Sequence, residues 1–323
     1  MPRFWMISNR NLTRDGLGTS LGRLSYWTTD SPAVDDFGVW QRQSATAFRT
    51  LLAAAADQFP VLEARHHEDQ KHVTLFVHGY NTTWGEAARV YQRIVNGLFS
   101  GDQSLGSCVL FTWPSKGSPA DYLPDRSEAA ASAPALAGLL EDLYDWLADR
   151  QQDAARDPAL ACKAKTSLIA HSMGNYVLEK AMQVVWTRKN QPLLVSLLNQ
   201  LLMVAADVDN DLFKSGENVD RSDGDAIANL TYRVTVLFSG LDEILGLSAG
   251  LKHFGKRRLG RSGLDPDVPK PDNVWQYDCS PLFEGQEGGA HGAYFEHRPV
   301  FDFMRLVLRG VDRKVIQARL VAR

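Results

Sequence analysis

The 323-residue sequence has little cysteine, no long apolar run and almost no net charge. Its three cysteines, Cys108, Cys162 and Cys279, are widely spaced, so they form neither a metal quartet nor a disulfide framework, and this favours a reducing compartment. No window is apolar enough for a membrane span, and the first residues lack the charged and apolar regions of a signal peptide. We therefore expect a cytoplasmic protein without a transmembrane segment.

The charge balance and the missing motifs exclude further classes. Lys and Arg number 35 against 38 Asp and Glu, which argues against nucleic acid as the main partner. Residues 16–22 depart by one position from the dinucleotide-binding spacing, and no Walker loop occurs. Asp207, Asp209 and Asp211 alternate as at the start of a calcium loop, but the required Gly and Glu are absent further on. We expect no cofactor and no metal.

Short apolar runs alternate with helical patterns along the chain, and 44% of the residues are apolar. This alternation predicts an α/β fold with a mostly parallel sheet covered by helices on both faces. Residues 4–8 and 24–29 predict opening strands at an antiparallel edge, and residues 45–59 predict a helix. We expect a single domain over residues 1–312 and a short, basic, exposed helical tail over residues 313–323.

The apolar run at residues 167–171 ends at Ser172, and a helical pattern follows directly. This order predicts a nucleophile elbow, a sharp strand-to-helix turn that lifts the serine Oγ clear of the backbone. Such a turn crowds its neighbours, so the small residues Ala170 and Gly174 are what it requires. On its own the pattern is a weak signal, because a serine after a strand often only caps a helix.

A second buried-strand pattern, residues 73–77, breaks at His78-Gly79 and leads into a helix near Trp84. In serine hydrolases one oxyanion-hole N–H comes from the residue after the nucleophile, and another comes from the loop after an earlier strand. The candidates are therefore the N–H groups of Met173 and Tyr80. The alternative is an ordinary strand-to-helix turn.

The base is selected by chain order, because in this plan the acid and then the histidine follow the serine. Of the eight histidines, only His253, His291 and His297 follow Ser172 in the chain. His253 comes before the last strand pattern, and His297 opens the final helix, where it fits a cap or surface position. We favour His291, which lies in a glycine-rich loop, with His297 as the alternative.

The acid is expected after a strand, and Asp242 follows the strand pattern at residues 233–238. A carboxylate there fixes the imidazole tautomer and stabilises the imidazolium. The alternative acid lies in the cluster after the preceding strand, which contains Asp207, Asp209 and Asp211.

Several sequence blocks in combination resemble a mainly bacterial, uncharacterised α/β-hydrolase branch, catalogued as domain of unknown function 900. They are residues 76–81, residues 111–117 with Tyr122, Asp125 and Arg126, and residues 170–175, with later similarity at 239–242 and 291–295. The resemblance implies an α/β-hydrolase fold with a sheet of about eight strands. It also implies Ser172 as nucleophile, Asp242 as acid and His291 as base.

Substrate contacts are expected where the strands end, because the ends of parallel strands meet at one edge of a sheet. The candidates are His78, Asn81, Ser115, Lys116, Tyr122 and His171. Residues 218–225 carry no amphipathic helix, so we expect no large lid. The basic stretch from Lys252 to Arg261 is interpreted as part of a solvated irregular loop, with an anion-binding site as the alternative.

These observations predict a serine hydrolase that cleaves a carboxylic ester, of a small molecule or a lipid, through an acyl-enzyme. One alternative is an amidase, thioesterase or acyltransferase that uses the same residues. A second is a noncatalytic interaction module on a hydrolase scaffold, against which an intact set of nucleophile, base and acid argues. No pattern favours a particular oligomeric state.

Overall fold

The computed structural model describes residues 3–60, 69–118, 121–189, 196–214, 223–252, 255–285 and 289–321. Within these ranges nine strands form one sheet, in the order β3-β2-β1-β5-β4-β6-β7-β8-β9. The strands are β1 (Phe4–Thr13), β2 (Gly16–Thr29), β3 (Gln41–Gln43), β4 (His72–Val77), β5 (Gly106–Thr112), β6 (Lys165–His171), β7 (Leu198–Val204), β8 (Thr231–Phe238) and β9 (Val274–Asp278).

The predicted α/β fold is confirmed, because the seven neighbouring strands β1-β5-β4-β6-β7-β8-β9 are all parallel. The described strands number nine rather than about eight. The sequence patterns miss β3, because its three residues are polar and have no apolar periodicity. The opening strands are antiparallel, as predicted, but the first extends to Thr13 and the second begins at Gly16. The sequence pattern missed the added part of β1 because Asn9, Arg10 and Asn11 interrupt its apolar run.

Helices cover both faces of the sheet. They are α1 (Ala45–Asp57), α2 (Trp84–Leu98), α3 (Tyr122–Arg156), α4 (Gly174–Lys189), α5 (Asp223–Leu230), α6 (Glu243–Lys252), α7 (Leu259–Ser262), α8 (Ser280–Phe283), α9 (Ala290–Ala293), α10 (Arg298–Leu308) and α11 (Arg313–Val321). Buried side chains of α1, α3, α4 and α5 form one core cluster, and those of α2, α10 and α11 belong to a second.

Two expectations about peripheral segments need correction. A helix, α5, begins at Asp223, inside the segment 218–225 that was expected to carry no amphipathic helix, whereas residues 218–222 lie outside the described residues. It contacts α4 and buries Ile227 and Leu230, so its apolar residues belong to the core. The C-terminal segment forms α11 as expected, but Ile316 is fully buried, so this segment is not exposed throughout. None of the helices in the described ranges has the length and apolar character needed to cross a bilayer.

Backbone strain is concentrated at the carboxyl edge of the sheet. Among the described residues, three that are not glycine have positive φ: Asn81 at 55°, Ser172 at 51° and Ala205 at 46°. They follow β4, β6 and β7, which are neighbours in the sheet. Such conformations are costly for L-residues and occur most often at functional sites. This edge is therefore where the site residues are best sought.

Candidate active site

Ser172 lies at a compressed turn between β6 and α4. Its φ of 51° is left-handed, and its N–H donates to the Val204 carbonyl at 2.9 Å. A Cβ added to Gly174 would lie 2.5 Å from the His78 carbonyl oxygen, so a larger residue does not fit. The geometry is that of a nucleophile elbow, and it requires the glycine that the sequence has at this position.

Asn175, which was not among the candidate site residues, stabilises this turn by hydrogen bonds. The buried Asn175 side-chain amide donates to the carbonyls of Ala170 at 3.0 Å and of Ser172 at 3.1 Å. It therefore joins the end of β6 to the start of α4 across the serine. The sequence signal was its place directly after the elbow motif.

Asp242 and His291 are brought together although 49 positions separate them in the chain. The His291 Nδ1–H donates to Asp242 Oδ2 at 2.7 Å, and Asp242 is fully buried. The other carboxylate oxygen accepts the Leu245 N–H at 2.9 Å, as an N-cap does for the first turn of α6. Both oxygens are thus held, and in the neutral imidazole this bond places the proton on Nδ1 and leaves a lone pair on Nε2.

The neighbour of Ser172 contacts the backbone of the candidate base. His171 Nε2–H donates to the His291 carbonyl at 3.0 Å, and the two ring centroids are 5.0 Å apart. Burial, and secondarily the nearby His291, lowers the pKa of His171 to about 3, so this ring is neutral. The contact joins α9, which carries His291, to the elbow.

The hydrogen bond between serine and base is not made in this structure. Neither Ser172 Oγ nor His291 Nε2 hydrogen-bonds to any residue in the described ranges. Catalytic hydrogen bonds in ligand-free enzymes are often long and tighten when substrate binds. The structure thus joins Asp242 to His291 directly, and it joins the His291 backbone to the residue beside Ser172.

The loop after β4 passes directly against the serine. A Cβ on Gly79 would lie 2.8 Å from the Ser172 Cβ. His78 Nδ1–H donates to the Gly79 carbonyl at 2.8 Å, and His78 Nε2 accepts the Trp113 N–H at 3.2 Å. Because the C=O and N–H of a trans peptide point in opposite directions, the Tyr80 N–H points away from the bond to His78.

Three of the candidate substrate contacts have buried side chains. His78, Ser115 and Tyr122 are at most 2% exposed. The polar atoms of Ser115 and Tyr122 are also occupied, since their hydroxyls donate to the carboxylates of Asp125 and Asp207. All three lie near the carboxyl edge, as expected, but face inward. Burial, chiefly, lowers the pKa of His78 to about 3, which is consistent with a structural role.

The remaining candidates have different environments. Lys116 is exposed, and Asn81 and His171 are half-buried. The Met173 side chain is fully buried in the core, so only its backbone is available for a substrate. His297 occupies the N-cap position of α10 without a side-chain cap, and His253 lies outside the described residues.

The alternative acid, Asp207, forms hydrogen bonds with residues other than histidine. It is 1% exposed and accepts hydrogen bonds from Arg258 Nε at 2.8 Å and from the Tyr122 hydroxyl at 2.7 Å. Ser248 Oγ donates at 3.2 Å to Asp207 Oδ1, the oxygen that also accepts the Arg258 Nε–H. This network ties the turn after β7 to α3, α6 and the segment before α7. The geometry therefore favours Asp242 over Asp207 as the partner of a histidine.

The basic stretch from Lys252 to Arg261 is only partly the solvated loop expected from its charges, since Lys256 and Arg257 are exposed but Arg258 is not. Lys252 ends α6, and α7 begins at Leu259. Arg258 is fully buried in its ion pair with Asp207, and Lys256 pairs with Asp209 at 3.0 Å. Arg261 donates to the Asp242 carbonyl, next to the candidate acid. These cations thus have internal partners, which weakens the alternative of an anion-binding site.

Comparisons with known proteins identify the family. The chain matches the family model described as alpha/beta hydrolase of unknown function (DUF900) over residues 54–273. Uncharacterized protein alr1448 of Nostoc sp. is 23% identical, in a match that covers 73% of this chain and 73% of that one.

Solved structures of esterases are also similar to this chain. An esterase from Pyrobaculum calidifontis is 14% identical with a TM-score of 0.36, and the match covers 75% of this chain and 76% of that one. Carboxyl esterase 2 from Tuber melanosporum is 9% identical with a TM-score of 0.37, over 96% and 92% of the two chains. Because the family model spans well over half of the sequence, this chain belongs to that family of α/β hydrolases.

Proposed function

We propose that this protein is a serine hydrolase that cleaves a carboxylic ester, of a small molecule or a lipid, through an acyl-enzyme. Ser172 is the nucleophile, His291 the general base and Asp242 the acid that orients it. The backbone N–H groups of Tyr80 and Met173 are the donors of the oxyanion hole. The observation that carries the proposal is the hydrogen bond between His291 Nδ1 and Asp242 Oδ2. The His291 carbonyl also accepts a hydrogen bond from His171, which directly precedes Ser172 and its left-handed backbone.

In the proposed reaction, His291 Nε2 takes the Ser172 hydroxyl proton as Oγ attacks the carbonyl carbon of the ester. The two N–H groups stabilise the negative oxygen that develops on the substrate. His291 then gives the proton to the departing alkoxide, and the alcohol leaves. Water, deprotonated by the same imidazole, attacks the acyl group and regenerates the serine, while Asp242 stays ionised throughout.

The surroundings of the acid favour an apolar ester. Leu241, Ile244 and Leu247 flank Asp242 along the start of α6, and they are between 43% and 63% exposed. Ile244 and Leu247 are three positions apart in α6 and so share a helix face, where exposed apolar side chains favour contact with apolar groups. A panel of esters with graded acyl length, extended by an amide and a thioester, separates the lipid, small-molecule and alternative-bond forms of the proposal.

The test compares matched variants on the best ester of that panel. His291→Ala and Asp242→Asn should each lower kcat by about 10³-fold or more, because both act on the proton that Ser172 must lose. His297→Ala, a matched change at the alternative histidine, should leave kcat within about twofold of wild type. Loss of activity in His297→Ala together with full activity in His291→Ala would refute the assignment.

A further inference from the structure

Two fully buried charged residues flank the loop after β4. Arg10 comes from β1 and is 1% exposed, and Asp125 comes from the first turns of α3 and is 0% exposed. They do not form an ion pair with each other or with any other described residue. A buried charge is costly, so the groups that these side chains bind must account for their presence.

The Arg10 guanidinium donates hydrogen bonds to oxygen atoms of three separate segments. Its Nη2 donates to the Thr82 carbonyl at 2.9 Å, and its Nη1 donates to the carbonyls of Ser115 and Gly18, each at 3.1 Å. Its Nε donates to Thr112 Oγ1 at 2.9 Å. Burial lowers the pKa of Arg10 to about 9 while Asp125 acts in the opposite direction, so the side chain is charged at neutral pH.

Asp125 holds the same loop by accepting hydrogen bonds, whereas Arg10 holds it by donating them. Its Oδ2 accepts the Asn81 N–H at 3.2 Å and the Ser115 hydroxyl at 2.5 Å, and its Oδ1 accepts the Lys116 N–H at 3.0 Å. Ser115 Oγ in turn accepts the Thr82 N–H at 3.1 Å. Arg10 and Asp125 together thus fix the N–H of Asn81 and both backbone groups of Thr82.

These bonds bear on Tyr80 because it lies between two fixed points. On its N-terminal side, His78 holds the Gly79 carbonyl. On its C-terminal side, Asn81 is kept at its left-handed φ of 55° by the bond to Asp125. The direction of the Tyr80 N–H is set by the peptide plane between these two points.

We propose that Arg10 and Asp125 are positioning residues that hold the Asn81–Thr82 backbone, so that the Tyr80 N–H is aimed at the oxyanion. The inference rests on the proposed hydrolase function, and neither side chain touches the substrate. The sequence gives no hint of the pair, because Arg10 comes from a hairpin more than 100 positions before Asp125. Arg10 also lies outside the family match, which begins at residue 54.

The variants Arg10→Lys and Asp125→Asn test the proposal with two measurements. A lysine has fewer donors than the four bonds require, and an asparagine turns an NH₂ group toward one of the N–H donors. We expect kcat to fall by about 10- to 100-fold with KM within about twofold, because misaligning an oxyanion donor weakens only the transition state. Amide hydrogen exchange in a peptide covering residues 78–83 should become at least about tenfold faster.

The controls are the same substitutions at an exposed ion pair, Arg49→Lys on α1 and Asp142→Asn on α3. Both should leave kcat, KM and the exchange of residues 78–83 unchanged. If Asp125→Asn fails to fold, Arg10→Lys carries the test alone.

Unchanged exchange in the two variants would overturn the proposal, and so would faster exchange with unchanged kcat. If wild type cleaves no member of the ester panel, the proposed function fails. In that case the exchange measurement still shows whether Arg10 and Asp125 hold the loop.

Discussion

Three histidines of this chain are kept neutral by burial. Burial is the main reason that the pKa values of His72, His78 and His171 are lowered from 6.5 to about 3. His72 is the one furthest from the proposed chemistry, since it begins β4 and its Nδ1 bonds to Ser167 Oγ. Its buried Nε2 has no hydrogen-bond partner among the described residues, so a proton added there would create an unsatisfied charge.

The lowered pKa of His72 predicts a loss of stability in acid. Between pH 6.5 and about 3 the unfolded chain binds a proton at this position and the folded chain does not. The free energy of unfolding should therefore be fully retained above about pH 6.5 and fall by about 1.4 kcal/mol per pH unit below it, for each such histidine. Urea unfolding of wild type and His72→Gln at several pH values measures this slope, which should be smaller in the variant. Identical slopes would show that His72 binds its proton in the folded state too.

The candidates for the nucleophile, the acid and the base could be chosen from the sequence alone, because chain order and motif restrict which residues can take these roles. Ser172, Asp242 and His291 follow the order that the fold requires, and the structure hydrogen-bonds the last two. The direction of a side chain at a strand end was not predictable, because it depends on packing around it. For that reason the burial of His78, Ser115 and Tyr122, which are candidates for substrate contact, could not be read from the sequence.

At the scale of elements, the site depends on how closely the elbow packs against β4. A Cβ on Gly174 would approach the carbonyl oxygens of both Val77 and His78, at 2.6 and 2.5 Å. Both atoms belong to the backbone and cannot rotate away. The sequence predicted this crowding, since the small residues around Ser172 are what the turn needs. It did not predict β3, because three polar residues carry no strand periodicity.

Gly174→Ala should therefore destabilise the fold by at least about 2 kcal/mol, through overpacking against backbone. Gly138→Ala is the matched control, since Gly138 lies within α3 and an added Cβ meets nothing within 4 Å. That substitution should stabilise the protein by about 0.5 to 1 kcal/mol, as expected for alanine in a helix. Chemical denaturation of both variants gives the comparison. Equal effects of the two substitutions would contradict the close packing at the elbow.

At the scale of the whole molecule, the site is assembled from distant parts of the chain at one edge of the sheet. β4, β6, β7 and β8 are consecutive neighbours, so the turns that follow them meet. This convergence was predictable, because alternating strand and helix patterns specify a parallel sheet. The buried contacts that stabilise the edge, such as Arg258 with Asp207, were not, because their partners are 51 positions apart and charged runs are usually solvated.

Covalent labelling with a fluorophosphonate, followed by peptide mapping, identifies the hydroxyl that attacks the substrate. We expect a single adduct on Ser172, absent in Ser172→Ala and formed far more slowly in His291→Ala. An adduct on another residue, or undiminished labelling of Ser172→Ala, would contradict this assignment.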